Sequence, residues 1–279
     1  MSSNILLLGE YNVGKSHFGG QLLGRLNQEQ GYLRMVGSPD SLAAFEGVLS
    51  CLNDGRAAPH TSAAHYVESH WPVRDIQGNS TELIWPDYGG EQISSMRQNR
   101  SMPPEWTARV RSSDGWIVML RIGNANVSDD IFSKPLGVLV PKINPETLPF
   151  QISDQARMVD FLQWLIFIRS TGTLKPIGSP KLLLLLSCWD ELPAAEINEP
   201  PNIVLSRRLP MVSSFVQANW KEGSLHVLGL SALERSLSEN QEDCEFIDKG
   251  PESIGYVVTE TGKHESDLTV ALKPLMQVD

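Results

Sequence analysis

Gly9-Glu10-Tyr11-Asn12-Val13-Gly14-Lys15-Ser16 sets two glycines, a lysine and a serine at the spacing G-x-x-x-x-G-K-[ST]. Glycines at those places let the backbone curl until successive N–H groups point at one anion, and a helix starting just behind adds the partial positive charge of its N-terminus. Lys15 can then reach the β- and γ-phosphates of a nucleotide, and the Ser16 hydroxyl can ligate Mg²⁺. His17 follows in the same helix, so residues 9–17 form one expected phosphate site. The flanks suit such a loop. Ile5-Leu6-Leu7-Leu8 is an apolar run of the kind found in buried parallel strands, and Phe18, Leu22, Leu23 and Leu26 recur at helical spacing behind it. A chain with this loop in this setting binds a nucleoside triphosphate or descends from one that did.

A carboxylate is the expected counterpart of such a loop. Asp87 ends an apolar run and opens Asp87-Tyr88-Gly89-Gly90-Glu91. At a strand end it can hold Mg²⁺, usually through water, and a bare backbone at Gly90 lets an N–H approach a γ-phosphate and swing away when it leaves. Glu91 stands where a side chain can orient an attacking water. Thr61, in the loop before the second strand, is placed to cover Mg²⁺ and the γ-phosphate, with Ser62 and Ser50 competing for that role. Farther along, Ser187-Cys188-Trp189-Asp190 and Ser231-Ala232-Leu233 each follow a strand-like run. The Asp190 carboxylate can accept two hydrogen bonds from guanine N1–H and N2, a pairing adenine cannot offer, and the 231–233 backbone can donate to guanine O6.

The elements that must carry these residues read as strands alternating with helices. Strands are expected over 65–74 and 81–85 (joined at Gly78-Asn79), 115–122, 181–186, 225–230 and 255–259. Helices are expected over 17–27, 41–53, 154–169, 204–220 with a break at Pro210, and from Asp267 onward. Residues 91–114 read as a polar stretch broken at Pro103-Pro104, and 124–153 as an inserted loop. The alternation predicts an α/β fold, a three-layer α/β/α sandwich on a mainly parallel sheet. With 279 residues, one enlarged domain (1–279) is the economical reading, its core at about 4–235, an insertion at about 123–153 and a strand–helix extension at about 250–276.

Composition narrows the partners. Hydrophobic residues make up 41% of the chain, enough for a sizeable core. A net charge of −10 argues against nucleic acid or an anionic membrane surface as the main partner. Three widely separated cysteines give neither a disulfide framework nor a zinc knuckle and suit a reducing cytoplasm. The first apolar run reads as a strand rather than a signal segment, and no apolar stretch is long enough to span a bilayer. His60, His65 and His70, five residues apart, do not converge as metal ligands.

Taken in order, these motifs resemble the translation-factor-related class of P-loop GTPases, over about residues 4–233. The fourth motif departs from the class: Ser187 replaces Asn or Thr, and Cys188 replaces a lysine that packs along the base, while Asp190 is kept. In detail the chain is most similar to the bacterial double-GTPase family of conflict and defence systems. The helix 41–53 followed by Gly55 and Pro59-His60-Thr61, the Pro86-Asp87-Tyr88-Gly89-Gly90-Glu91 run, the Trp189-Asp190 pair and the Gly-Tyr-Val-Val…Asp-Leu-Thr tail at 255–269 carry that resemblance. It implies GTP or GDP and Mg²⁺ as ligands, slow hydrolysis of GTP, a switch role, and a second GTPase with effector or adaptor proteins as partners. Arg56, Arg97 and Arg100 are candidate arginine fingers, but each reads better as solvated surface. Two other readings stay open: an ATP-hydrolysing P-loop enzyme, and a scaffold locked on its nucleotide.

Overall fold

The computed structural model describes residues 3–37, 39, 41–59, 66–123, 153–169 and 175–276, and of Ser3, Ala43, Ala44, Tyr66 and Asp87 the backbone alone. Five parallel strands form the middle of the sheet in the order β4–β1–β5–β6–β7: β1 Ser3–Gly9, β4 Ser80–Tyr88, β5 Gly115–Arg121, β6 Lys181–Ser187 and β7 Leu225–Ser231. Antiparallel strands extend both edges. β3 (Tyr66–Asp75) and β2 (Leu33–Met35) lie beyond β4, and β8 (Tyr256–Val258) and β9 (His264–Glu265) beyond β7.

Both faces of the parallel strands are covered, which is why their sequences are apolar runs rather than alternations. Leu6, Leu8, Val118 and Leu184 point to one face, where α3 (Glu91–Asn99), α4 (Pro104–Ser112), α5 (Asp154–Arg169), α6 (Pro201–Arg208) and α7 (Pro210–Asn219) pack. Ile5, Leu7, Met119 and Leu185 point to the other, against α1 (Lys15–Gln28), α2 (Ala43–Asn53) and the C-terminal segment. The result is the three-layer sandwich expected from the alternation of elements.

Several elements depart from the sequence reading, each for a physical reason. β4 does not stop at Trp85 but runs on through Pro86-Asp87-Tyr88, because β3 pairs with it as far as Tyr66 opposite Tyr88. Its turn is held by the Asp75 carboxylate, which accepts from the Gln77 and Asn79 amides at 2.9 and 2.8 Å. The polar stretch 91–114 holds α3 and α4, helices whose large apolar residues (Ile93, Met96, Trp106, Val110) face the core. The expected helix at 204–220 begins earlier, at Pro201, while its expected break does fall at Pro210, which opens the second of two helices. Three short elements escaped the reading altogether, β2, β9 and α8 (Cys244–Lys249), being too brief to show a period. The C-terminal helix is a 3₁₀ segment, Leu268–Leu272, running into α9 (Lys273–Met276), and the Asp267 carboxylate caps it by accepting from Thr269 N at 2.9 Å.

Candidate functional site

All the motif-bearing strands of the parallel core end on the same side, so their carboxyl ends share one cleft. Leaving β1 at Gly9, the chain turns back over the sheet edge before α1 begins at Lys15. Asn12 and Gly14 both take left-handed backbone angles, φ 58° and 79°. Gly14 is the residue before the helix and supplies no side-chain cap, which leaves the first amides of α1 facing the cleft. Lys15 is buried, with its ammonium donating to the Glu10 carbonyl at 2.8 Å and lying 4.8 Å above the Tyr88 ring. Tyr11, Asn12, Val13, Gly14, Lys15, Ser16 and His17 line a recess of about 230 Å³, together with Tyr88 and Gly90.

The D-x-x-G segment grips this loop at two points. The Tyr88 hydroxyl donates to the Gly9 carbonyl and accepts from the Gly9 amide, both at 2.9 Å, and the Tyr88 ring stands edge-on to Trp106. Two residues on, Gly90 lies so close to the loop that a Cβ there would stand 2.2 Å from the Tyr11 amide nitrogen. Glu91 is the first residue of α3, beside this contact. Asp87 is on β4, one residue before Tyr88 and opposite Val67; its side chain lies outside the described residues, as does the whole of Thr61. The segment ahead of Thr61 does reach the cleft: Ala57, Ala58 and Pro59 line the phosphate recess. The Ala58 amide donates to His17 Nε2 at 3.2 Å, which requires a neutral imidazole. Burial lowers the pKa of His17, with Glu239 opposing in part, so the ring suits that acceptor role.

Glu10 would be an odd neighbour for phosphate, but its side chain is turned away. It faces a separate recess of about 280 Å³, within 3.7 Å of Arg97 and 3.4 Å of Arg157. Arg97 is therefore not a solvated surface residue as the sequence suggested; it is buried between Glu10 and Asp160. Arg100 pairs with Asp160 and Arg56 with Asp54.

A second recess, of about 270 Å³, adjoins the first and shares Asn12, Gly14 and His17 with it. Ser187, Cys188, Asp190, Ala232 and Leu233 border it. Ser231 is buried and fixes the acid: its hydroxyl donates to Asp190 Oδ1 at 2.5 Å and accepts from the Glu234 amide. Cys188 sits at φ 54°, and burial, reinforced by Glu191, pushes its thiol up to about 11, which keeps it neutral at ordinary pH. Trp189 is turned the other way, fully buried in the core with its indole N–H on the Ile197 carbonyl at 2.8 Å. The sequence reading missed Arg121, the last residue of β5, which lines this recess. The only signal for it is topological: it is the register partner of Ser187, so it is visible as a site residue once β5 and β6 are known to be neighbours.

A phosphate loop after the central strand, a D-x-x-G segment touching it from the next strand, and an acid-bearing strand end two strands away define a P-loop GTPase of the translation-factor-related class. Within it, the chain belongs to the Double-GTPase 1 family, whose model matches residues 6–275. A comparison with curated proteins gives no match. Among solved structures, the chain is similar to the GTPase-like domain of Ski7 from S. cerevisiae bound to GDP and inorganic phosphate (12% identity, TM-score 0.41, covering 83% of this chain and 43% of that one). It is similar also to the Arl6 BBS3 small GTPase of Trypanosoma brucei with a bound nucleotide analogue (10%, 0.37, 83% and 87%). A third is the signal recognition particle receptor SRb-GTP/SRX complex of Chaetomium thermophilum (13%, 0.38, 85% and 92%). Similarity this remote carries no weight for function. Among the described residues, no helix is long and apolar enough to cross a membrane.

Proposed function

We propose that the protein is a GTP-binding switch that hydrolyses GTP slowly and acts with a second GTPase and effector or adaptor proteins in a bacterial conflict or defence system. One observation carries the switch reading: the D-x-x-G segment is in direct contact with the phosphate loop, through Tyr88 on Gly9 and through Gly90 on Tyr11. A terminal phosphate entering the recess meets both partners of that contact, so its presence or loss moves β4 and α3 relative to α1. The system-level part of the proposal rests on the family alone.

In this reading Lys15 and the first amides of α1 hold the β- and γ-phosphates, and Asp190 selects guanine. Ser16 lines the same recess as Lys15, which fits a hydroxyl ligand for Mg²⁺ there, with Asp87 and Thr61 as its partners. Mg²⁺, when bound, offsets the charge on the phosphate oxygens. In hydrolysis water attacks the γ-phosphorus in line as its bond to the β–γ bridging oxygen breaks and GDP leaves, with Glu91 orienting that water and Lys15 countering charge on the phosphate oxygens. The candidate finger arginines are engaged elsewhere: Arg97 by Glu10 and Asp160, Arg100 by Asp160, and Arg56 by Asp54. Slow turnover follows, with a partner as the accelerating element.

Single-turnover hydrolysis of bound GTP tests the role of Glu91. The variant Glu91→Ala is expected to slow the chemical step by about 10- to 100-fold while changing GTP affinity less than about threefold. Equal rates for the two proteins would remove Glu91 from the chemistry.

A further inference from the structure

The recess bordered by Asp190 contains a guanidinium held in place before any ligand arrives. Arg121 Nε donates to Glu191 Oε2 at 3.0 Å, and its Nη2 donates to Glu191 Oε1, so the fork is engaged by both carboxylate oxygens. Both side chains are about three-quarters buried, at 24% and 23% exposure, and both line the recess. The same recess is bordered by Asn12 and Gly14 of the phosphate loop and by Cys188 and Asp190, with Met119 and Leu230 supplying apolar surface. Arg235 also borders it, but its guanidinium is directed to Asp243 and Glu245 near α8. Cys188, the nearest alternative on the β6 end, offers only a neutral thiol.

A guanidinium clamped edge-on by a carboxylate keeps its flat faces available for stacking, and a cation face attracts the electron-rich face of a purine. Because Glu191 already fixes the fork, little side-chain freedom is lost when a ring settles against it. We infer that Arg121 is a nucleoside-contacting residue: its guanidinium covers one face of the purine and its ribose between the phosphate loop and Asp190, and Glu191 acts as its positioning residue. The inference rests on the reading of this cleft as a guanine-nucleotide site. It places the cation of the base site on β5, one strand over from the β6 end where Cys188 stands, since Arg121 pairs in register with Ser187.

Calorimetric titration of the full chain with GDP and, separately, with Mg²⁺-tripolyphosphate tests it, because the second probe fills only the phosphate recess. Arg121→Ala is expected to weaken GDP by about tenfold and tripolyphosphate by less than about twofold. Glu191→Gln is expected to lose a smaller factor on GDP alone, and Cys188→Lys in the Arg121→Ala background to regain part of the loss by returning a cation to the recess from the adjacent strand. Wild-type GDP affinity in Arg121→Ala, or an equal loss for both probes, would overturn the inference while leaving the guanine-nucleotide reading intact. A wild-type protein that takes tripolyphosphate but not GDP would sink that reading and the inference with it.

Discussion

At position 90 a side chain has no room: a Cβ would stand 2.2 Å from the Tyr11 amide nitrogen and 2.3 Å from its Cα, both backbone atoms that cannot rotate away. The conformation there is ordinary helix-like backbone, φ −57°, so the requirement for glycine is one of contact rather than of torsion. Gly90→Ala must separate the start of α3 from the phosphate loop, at a cost of about 1–3 kcal/mol. GTP affinity measured with a fluorescent analogue is expected to fall by roughly tenfold, and unchanged affinity would show that the contact has no part in the nucleotide site. The phosphate loop itself was legible from residues 9–16 because all its chemistry is local in the chain. Trp189 and Arg97 were not. Their neighbours in sequence do not say that the Trp189 indole turns to Ile197 or that Arg97 meets Glu10, residues brought together by tertiary packing alone.

Among the elements, the C-terminal segment does more than extend the sheet. The Asp267 carboxylate accepts from the Tyr32 amide at 2.6 Å as well as from Thr269, and the Thr269 hydroxyl accepts from the Leu33 amide at 3.1 Å. Leu268, Ala271 and Leu272 pack into the same layer as Phe18 and Leu22 of α1. The tail therefore ties down the chain just after the helix whose N-terminus faces the phosphate recess. Asp267→Ala removes the cap and leaves two amides unpaired, so a loss of about 1–3 kcal/mol is expected in denaturant unfolding, with nucleotide chemistry spared. A variant as stable as wild type would reduce the tail to an accessory. Sequence showed the capping aspartate and a short strand at 255–259, found at Tyr256–Val258, because caps and β-rich runs are local signals. It did not show α3 and α4 as helices, since each buries only two apolar residues in nine and so has a weak period.

For the molecule as a whole, the parallel strand order β4–β1–β5–β6–β7 gathers motifs spread from Gly9 to Leu233 at one edge of the sheet. The fold class itself, a sandwich on a mainly parallel sheet, follows from alternating strands and helices and could be read before any contact was known. What alternation could not give is which strand ends become neighbours, and with it the place of Arg121 beside Ser187. The central claim is that this edge recognises a guanine nucleotide by its phosphates and its base together. Calorimetric titration in Mg²⁺ of wild type and Lys15→Ala with GTP, GDP and ATP tests it most directly. The expected result is that wild type binds GTP and GDP at least about 100-fold more tightly than ATP, and that Lys15→Ala loses GTP binding by a similar factor. ATP bound as tightly as GTP, or a Lys15→Ala protein with wild-type affinity, would contradict it.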